Sequence, residues 1–170
     1  MRLLICLFIM LFAFQANSEE QKAPANHAGV YHCQVVAKSG IEYSEQLRKW
    51  QSRTYDVESE DFLLKITDTG RMEQNQSGFK FRFYTVGLKK FTESETKVCW
   101  SRFTDNWGSE DMAFGLFDTL LCGNNDANYH FSFWTGRFTA EASGDYMSTI
   151  MPQTANDAAY IAAGKCQKVD

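Results

Sequence analysis

The sequence predicts a mainly β fold: a single antiparallel β-barrel or sandwich of about eight strands with one short helix. Three observations predict it. Apolar residues recur at every second position in several segments, which is the period of a strand with one buried face. The segments are separated by hairpin-length stretches rich in Gly, Asn and Asp. Four cysteines beyond the N-terminus fall on strand-like segments, two of them on the first and the last, as in a sheet that closes on itself.

Taken in order, Tyr31, Cys33, Val35 and Ala37 share one face of a first strand, and Phe62 to Thr67 forms another. Asp68-Thr69-Gly70 reads as a turn, after which Arg71 to Gln74 pairs back. Phe79, Phe81, Phe83 and Thr85 alternate with Lys80, Arg82 and Tyr84, the cleanest alternation in the chain. Lys97 to Phe103 and Met112 to Cys122 follow. Gly123-Asn124-Asn125-Asp126 is a hairpin turn, because Gly and Asn accept positive φ at low cost. Tyr129, Phe131, Phe133 and Thr135 alternate again.

Two segments differ. Tyr43, Leu47 and Trp50 stand at i, i+4 and i+7, one face of a helix over Ser44 to Gln51 with Ser44 as N-cap. Asn156 to Cys166 is open between two readings: its alanines favour a helix stopped by Gly164, yet Tyr160, Ala162 and Gly164 alternate with Ile161 and Ala163. The strand reading is preferred, because Cys166 has to reach a strand partner. In outline the resulting barrel is similar to a lipocalin. The Gly-x-Trp that marks that family is absent, with Gly29-Val30-Tyr31 in the matching place; the interior of an eight-stranded barrel is just wide enough for side chains or one small ligand.

The N-terminus reads as an export signal over residues 1–18. Met1-Arg2 precedes an apolar run from Leu3 to Phe14, and Ala16 and Ser18 supply the small residues of a cleavage site before Glu19. The run is too short for a membrane span, which needs about 20 apolar residues. Residues 19–28 form a polar tail and 29–170 one disulfide-stapled domain. Cleavage of 18 residues from 170 leaves 152, a one-domain length. An exported protein with an even cysteine count forms disulfides. Cys33–Cys166 joins the first and last segments, and Cys99–Cys122 joins two that follow each other along the chain. No CxxC pair occurs and no His lies at ligand spacing, so no metal and no cofactor are expected.

Losing Arg2 leaves 16 basic against 21 acidic side chains, a formal charge of −5. A mildly acidic chain with scattered Lys and Arg has no electrostatic footprint for nucleic acid or an anionic membrane. Asp68-Thr69-Gly70 also matches the short signature of aspartic proteases. It is a single copy, however, and lacks the apolar residues that precede that Asp. Asp105, Glu110 and Asp111, like Asn124, Asn125 and Asp126, read as polar turns without the ligand alternation of a calcium loop. Asn75-Gln76-Ser77 is a glycosylation sequon, meaningful only in a eukaryotic secretory pathway. His27 lies in the polar tail, and His32 and His130 lie on strand faces opposite the apolar ones. No Gly-x-Ser-x-Gly elbow is present.

These features favour a binder over an enzyme. Phe79, Phe81, Phe83, Trp100, Phe114, Phe131 and Phe133 are the candidates to line an apolar pocket or to pack a core. Trp107, Trp134 and Tyr146 lie near turns, as a pocket mouth or a protein-contact patch would have them. The expected partner is an apolar or amphipathic small molecule, or a protein met in the periplasm or outside the cell through such loop aromatics. An enzyme with an unrecognised site is the third expectation.

Overall fold

The computed structural model describes residues 24–102, 108–114, 118–143 and 158–169. Ten strands follow in order: β1 (Gly29–Ser44), β2 (Lys49–Thr54), β3 (Phe62–Gln74), β4 (Lys80–Lys90), β5 (Lys97–Ser101), β6 (Asp111–Ala113), β7 (Thr119–Gly123), β8 (Asn128–Ser132), β9 (Arg137–Ala142) and β10 (Ala158–Lys168). Every pairing is antiparallel. Eight strands close a barrel in the order β1-β3-β4-β5-β7-β8-β9-β10, with β10 paired back to β1; β2 extends β1 and β6 pairs with β4. Closure leaves the barrel strands with few free edges. Among the described residues no helix is long and apolar enough to cross a membrane.

Both expected disulfides are present. Cys33 and Cys166 are register partners on the β1–β10 seam, with Cα atoms 4.0 Å apart. Cys99–Cys122 ties β5 to β7. Two such crosslinks fit an oxidising compartment outside the cytoplasm. The seam is the long-range contact of the chain, 133 residues between its cysteines. Its packing depends on Gly164, opposite Val35: a Cβ there would stand 2.2 Å from the Gln34 carbonyl and 2.4 Å from the Phe138 ring. Gly164 is therefore a mid-strand gap filled by a neighbouring aromatic, and not the helix stop that its alanine-rich surroundings allowed. The segment is β10.

The expected helix over Ser44 to Gln51 is instead the turn of a β1–β2 hairpin. Tyr43 and Trp50 face each other across the two strands, with ring centroids 5.7 Å apart and edge to face. Residues seven apart share a helix face, but they also become cross-strand partners when a four-residue turn divides them. Ser44 does cap, but it caps the turn: its Oγ accepts the Leu47 N–H at 3.3 Å. Arg48, at φ 50°, closes it.

The expected turn at Asp68-Thr69-Gly70 is a bulge inside one continuous strand. Between Asp68 and Met72, β3 takes four steps where β4 takes two, from Tyr84 to Arg82. Gly70 absorbs the detour at φ 74°. Arg71 to Gln74 then runs on beside β4 and does not fold back on β3. The turn after Gly123 is as expected. The Asn124 side-chain oxygen accepts the N–H groups of Asp126 and Ala127, at 2.9 and 3.1 Å.

Alternate residues of the strands fill the barrel. Cys33, Leu64, Cys99, Met112, Leu120 and Cys122 are fully buried. Phe62 meets Phe138 edge to face at 5.2 Å, and Tyr129 stacks on Phe131 at 5.8 Å. Each buried side chain of this size contributes about 1.5–3 kcal/mol by leaving water.

Candidate functional site

Three of the seven expected pocket-lining residues, Phe81, Phe83 and Trp100, stand on the other face of their strands, and Phe79 lies just before β4. The bulge in the β3–β4 pairing lies in β3, so β4 itself keeps its alternation, and its core-facing residues are Tyr84, Val86 and Leu88. Phe81 and Phe83 alternate with these and lie outside the main core cluster; Phe79 is 56% exposed, Phe81 is half-buried, and Phe83 is buried, with the Arg71 guanidinium 3.7 Å above its ring. Trp100 likewise alternates with the buried Cys99. Phe131 is in the core and Phe114 and Phe133 pack against it. Trp134 is 81% exposed in the β8–β9 turn, next to Phe133. Trp107 and Tyr146 lie outside the described residues, as does the export signal. Of the acidic turn residues, Asp111 pairs with Arg71 and Asp126 with Lys97, so those carboxylates are engaged with cations.

Around the barrel axis the side chains build three distinct places. The first is the end at which β1 begins. Residues 25–28 lie across it as a strap whose backbone is bound by side chains. The Tyr84 hydroxyl donates to the Ala25 carbonyl at 3.1 Å and accepts the His27 N–H at 3.3 Å. The Tyr31 hydroxyl donates to the His27 carbonyl at 2.9 Å, and the Lys168 ammonium donates to the Ala28 carbonyl at 2.7 Å. The His27 ring stacks on Phe114 at 4.4 Å, lies 5.2 Å from Phe133, and places Nε2 3.2 Å from the Asp118 carboxylate. His27 is thus mostly covered, its side chain 15% exposed, and does not float in a solvated tail. Burial pushes the Tyr84 hydroxyl pKa up, and the N–H bond from His27 partly offsets this. Beside it, Asp68 pairs with Arg82 at 2.5 Å. The Gly70 N–H and then the Arg82 guanidinium hold the Asp68 carboxyl below its ordinary range. A protease aspartate needs the opposite, a shared proton.

The second place is the opposite mouth. Lys38, on the inward side of β1 and only 11% exposed, reaches Glu60 at 2.8 Å and lies 4.2 Å above the Tyr160 ring and 5.1 Å above that of Tyr55. Tyr129 faces the same space. Burial, and secondarily the neighbouring Tyr160 and acidic groups, pushes its hydroxyl well above the ordinary tyrosine range. Burial and then Glu60 raise Tyr160.

The third is the outer face of β8, β9, β10 and β1. Ser39, Ile41, Ala159 and Ile161 line one groove of about 570 Å³ there, and Val36, Ala163, His130 and Arg137 line a neighbouring one of about 470 Å³. Val36 alternates with the buried Val35 and is 51% exposed; the Val35/Ala37 register shift leaves Ala37 exposed as well, where the expected alternation put it inward, and Ile161 is 62% exposed. These concavities are on the surface, whereas the barrel axis is occupied by the core rings.

Sequence reasoning missed the strap and the Lys38 mouth. The one available signal for the strap was a histidine two residues before the first strand. The Lys38 signal was a charged residue at a position that the Val35/Ala37 bulge turns inward. Among the described residues no group of His, Cys, Asp and Glu has a metal-binding arrangement. The chain matches no known family model, and no curated protein or solved structure is similar enough to stand as a relative.

Proposed function

We propose that this chain is an exported binding module that recognises a protein partner through the outer face of β1, β10, β9 and β8, in a periplasm or outside the cell. One observation carries the reading. The inside of the barrel is packed with its own side chains, while this outer face is surfaced by small and apolar residues: Val36, Ser39, Ile41, Ile161 and Ala163. Arg137, Lys165 and Glu141 stand around them. An apolar centre with a charged rim is the composition of a protein contact. The outward positions of β3 beside β1 include the exposed Lys65 and Thr67. Binding is favoured over catalysis by the engagement of the reactive groups. All four cysteines outside the N-terminal segment are in disulfides, and the His27 and His32 rings face the carboxylates of Asp118 and Asp61.

The test is photo-crosslinking in the exporting cell, with a photoreactive residue at Ala163 or, as the control, at Lys65. A discrete adduct from position 163 alone, lost on Ile161→Glu without a change in thermal midpoint, is the expected result. Equal adducts from both positions, or none from 163, would sink the reading.

A second reading rests on Lys38 and its tyrosines: an amphipathic small molecule held at that mouth, rings against Tyr55 and Tyr160, an anionic group toward Lys38. Native mass spectrometry of the protein from its own exported fraction tests it. A co-purifying small mass lost in Lys38→Met protein supports it, and a bare protein mass counts against it.

A further inference from the structure

We propose that the strapped end of the barrel holds a binding site for a planar organic cation, a site that this chain fills with its own His27. The inference is independent of the outer-face reading.

The walls are aromatic. Phe114 stacks on the imidazole at 4.4 Å and Phe133 tilts against it at 5.2 Å. Behind these, Tyr84 meets Phe114 edge to face at 5.1 Å and Tyr31 meets Phe133 the same way, also at 5.1 Å. Edge-to-face neighbours fix ring orientation, so the slot is set by the barrel and not by the occupant. One side is a carboxylate, Asp118 Oδ1, 3.2 Å from His27 Nε2. Rings facing a flat group, with an anion aimed at its N–H, are the chemistry of organic-cation recognition. Asp118 is held at φ 52°, and its carbonyl accepts the Phe133 N–H at 3.0 Å. The carboxylate and one aromatic wall are therefore locked together.

The occupant is carried by a segment outside the sheet. Residues 25–28 belong to no strand, and their carbonyls are held by three side chains from β1, β4 and β10. They join the barrel at Gly29, whose φ of 147° is open to glycine and rarely to other residues. A ligand that displaces His27 has only the strap to move. The walls stay in place.

Imidazole is the first probe, added to full-length His27→Gly protein at a pH where imidazole is protonated. The expected result is a saturable rise in the thermal midpoint that benzene does not reproduce. Adding Asp118→Asn should weaken imidazole about tenfold, the loss of a hydrogen bond to a charged group. Folded His27→Gly protein that ignores imidazole, or that responds equally to benzene and regardless of Asp118, overturns the proposal. If His27→Gly does not fold, benzamidinium is titrated into the wild-type chain and the His27 ring signals are followed by NMR. Movement to the shifts of a free histidine supports the site, and an unmoved signal overturns it.

Discussion

At one end of the barrel a backbone segment is bound by side chains; at the other, side chains face one another around a mouth. Tyr84 and Tyr129 show the difference, since both are tyrosines on inward faces with raised pKa values. The Tyr84 hydroxyl bonds both the Ala25 carbonyl and the His27 N–H, whereas the Tyr129 hydroxyl has no hydrogen-bond partner among the described residues. Tyr84 therefore organises a contact across 59 residues of sequence, while Tyr129 contributes a ring and leaves its hydroxyl at the mouth. A buried polar group is worth its partners, and one without partners contributes mainly its apolar area.

The largest expected effect lies on the seam that holds both ends in register. Replacing Cys33 and Cys166 together with Ser should cost about 5 kcal/mol, and replacing Cys99 and Cys122 about 3.5, if loop entropy governs both. Denaturant melts of the two double variants measure the gap; equal losses would mean that the unfolded chain is not the main site of action. Next comes Gly164→Ala, whose new Cβ meets the Gln34 carbonyl and the Phe138 ring. A loss of about 1–3 kcal/mol is expected, and an unchanged midpoint would mean that β10 can shift along β1.

The two tyrosines then test the comparison itself. Tyr84→Phe should cost about 1–2 kcal/mol, because it strips a donor from the strap, and Tyr129→Phe less than about 0.5. Faster proteolysis ahead of Gly29 in the first variant alone would tie the loss to the strap. Equal costs would break the contrast.

The smallest effects are in pH. Tyr129 and Tyr160 have folded pKa values raised above their unfolded value of 10.0, so their contribution is fully present below about pH 10 and is lost as pH rises past it. Tyr129→Phe with Tyr160→Phe should flatten the alkaline limb of stability against pH. Asp68 has the opposite sign. Its lowered pKa makes its contribution present above its ordinary 3.8 and lost as pH falls through the folded value. Asp68→Asn should lower stability above about pH 4 and leave it little changed well below, so that the acid limb flattens, as read by melts on both sides of pH 4.

Much of the fold was legible because a half-buried strand writes its period into the sequence. Tyr31-Cys33-Val35 and Tyr129-Phe131 point inward as their alternation says. The candidate lining residues were legible only in part. Phe79, Phe81 and Phe83 show the cleanest alternation, but alternation fixes which residues share a face and not which face is inside. The inward side of β4 is set by Tyr84, Val86 and Leu88, and the strand runs on past the barrel's end. There its partner residues from Arg71 to Gln74 are all exposed, and the outward stripe is free to be aromatic. Tyr43 and Trp50 misled for a related reason: a spacing of seven is satisfied by two helical turns or by a four-residue hairpin turn, and only the β2 edge beside β1 distinguishes them.

By itself the sequence determined the strand periods and the Gly123–Asp126 turn, and it favoured the pairing of first with last cysteine among three connectivities, because these depend on residues near in sequence or on simple closure. Tertiary structure alone decided which way β4 faces, that Asp68-Thr69-Gly70 is a bulge, and that His27 sits against Phe114 and Asp118. Each of these depends on a neighbour far along the chain, 91 residues away for His27 and Asp118. Such a neighbour exists only once the barrel has closed.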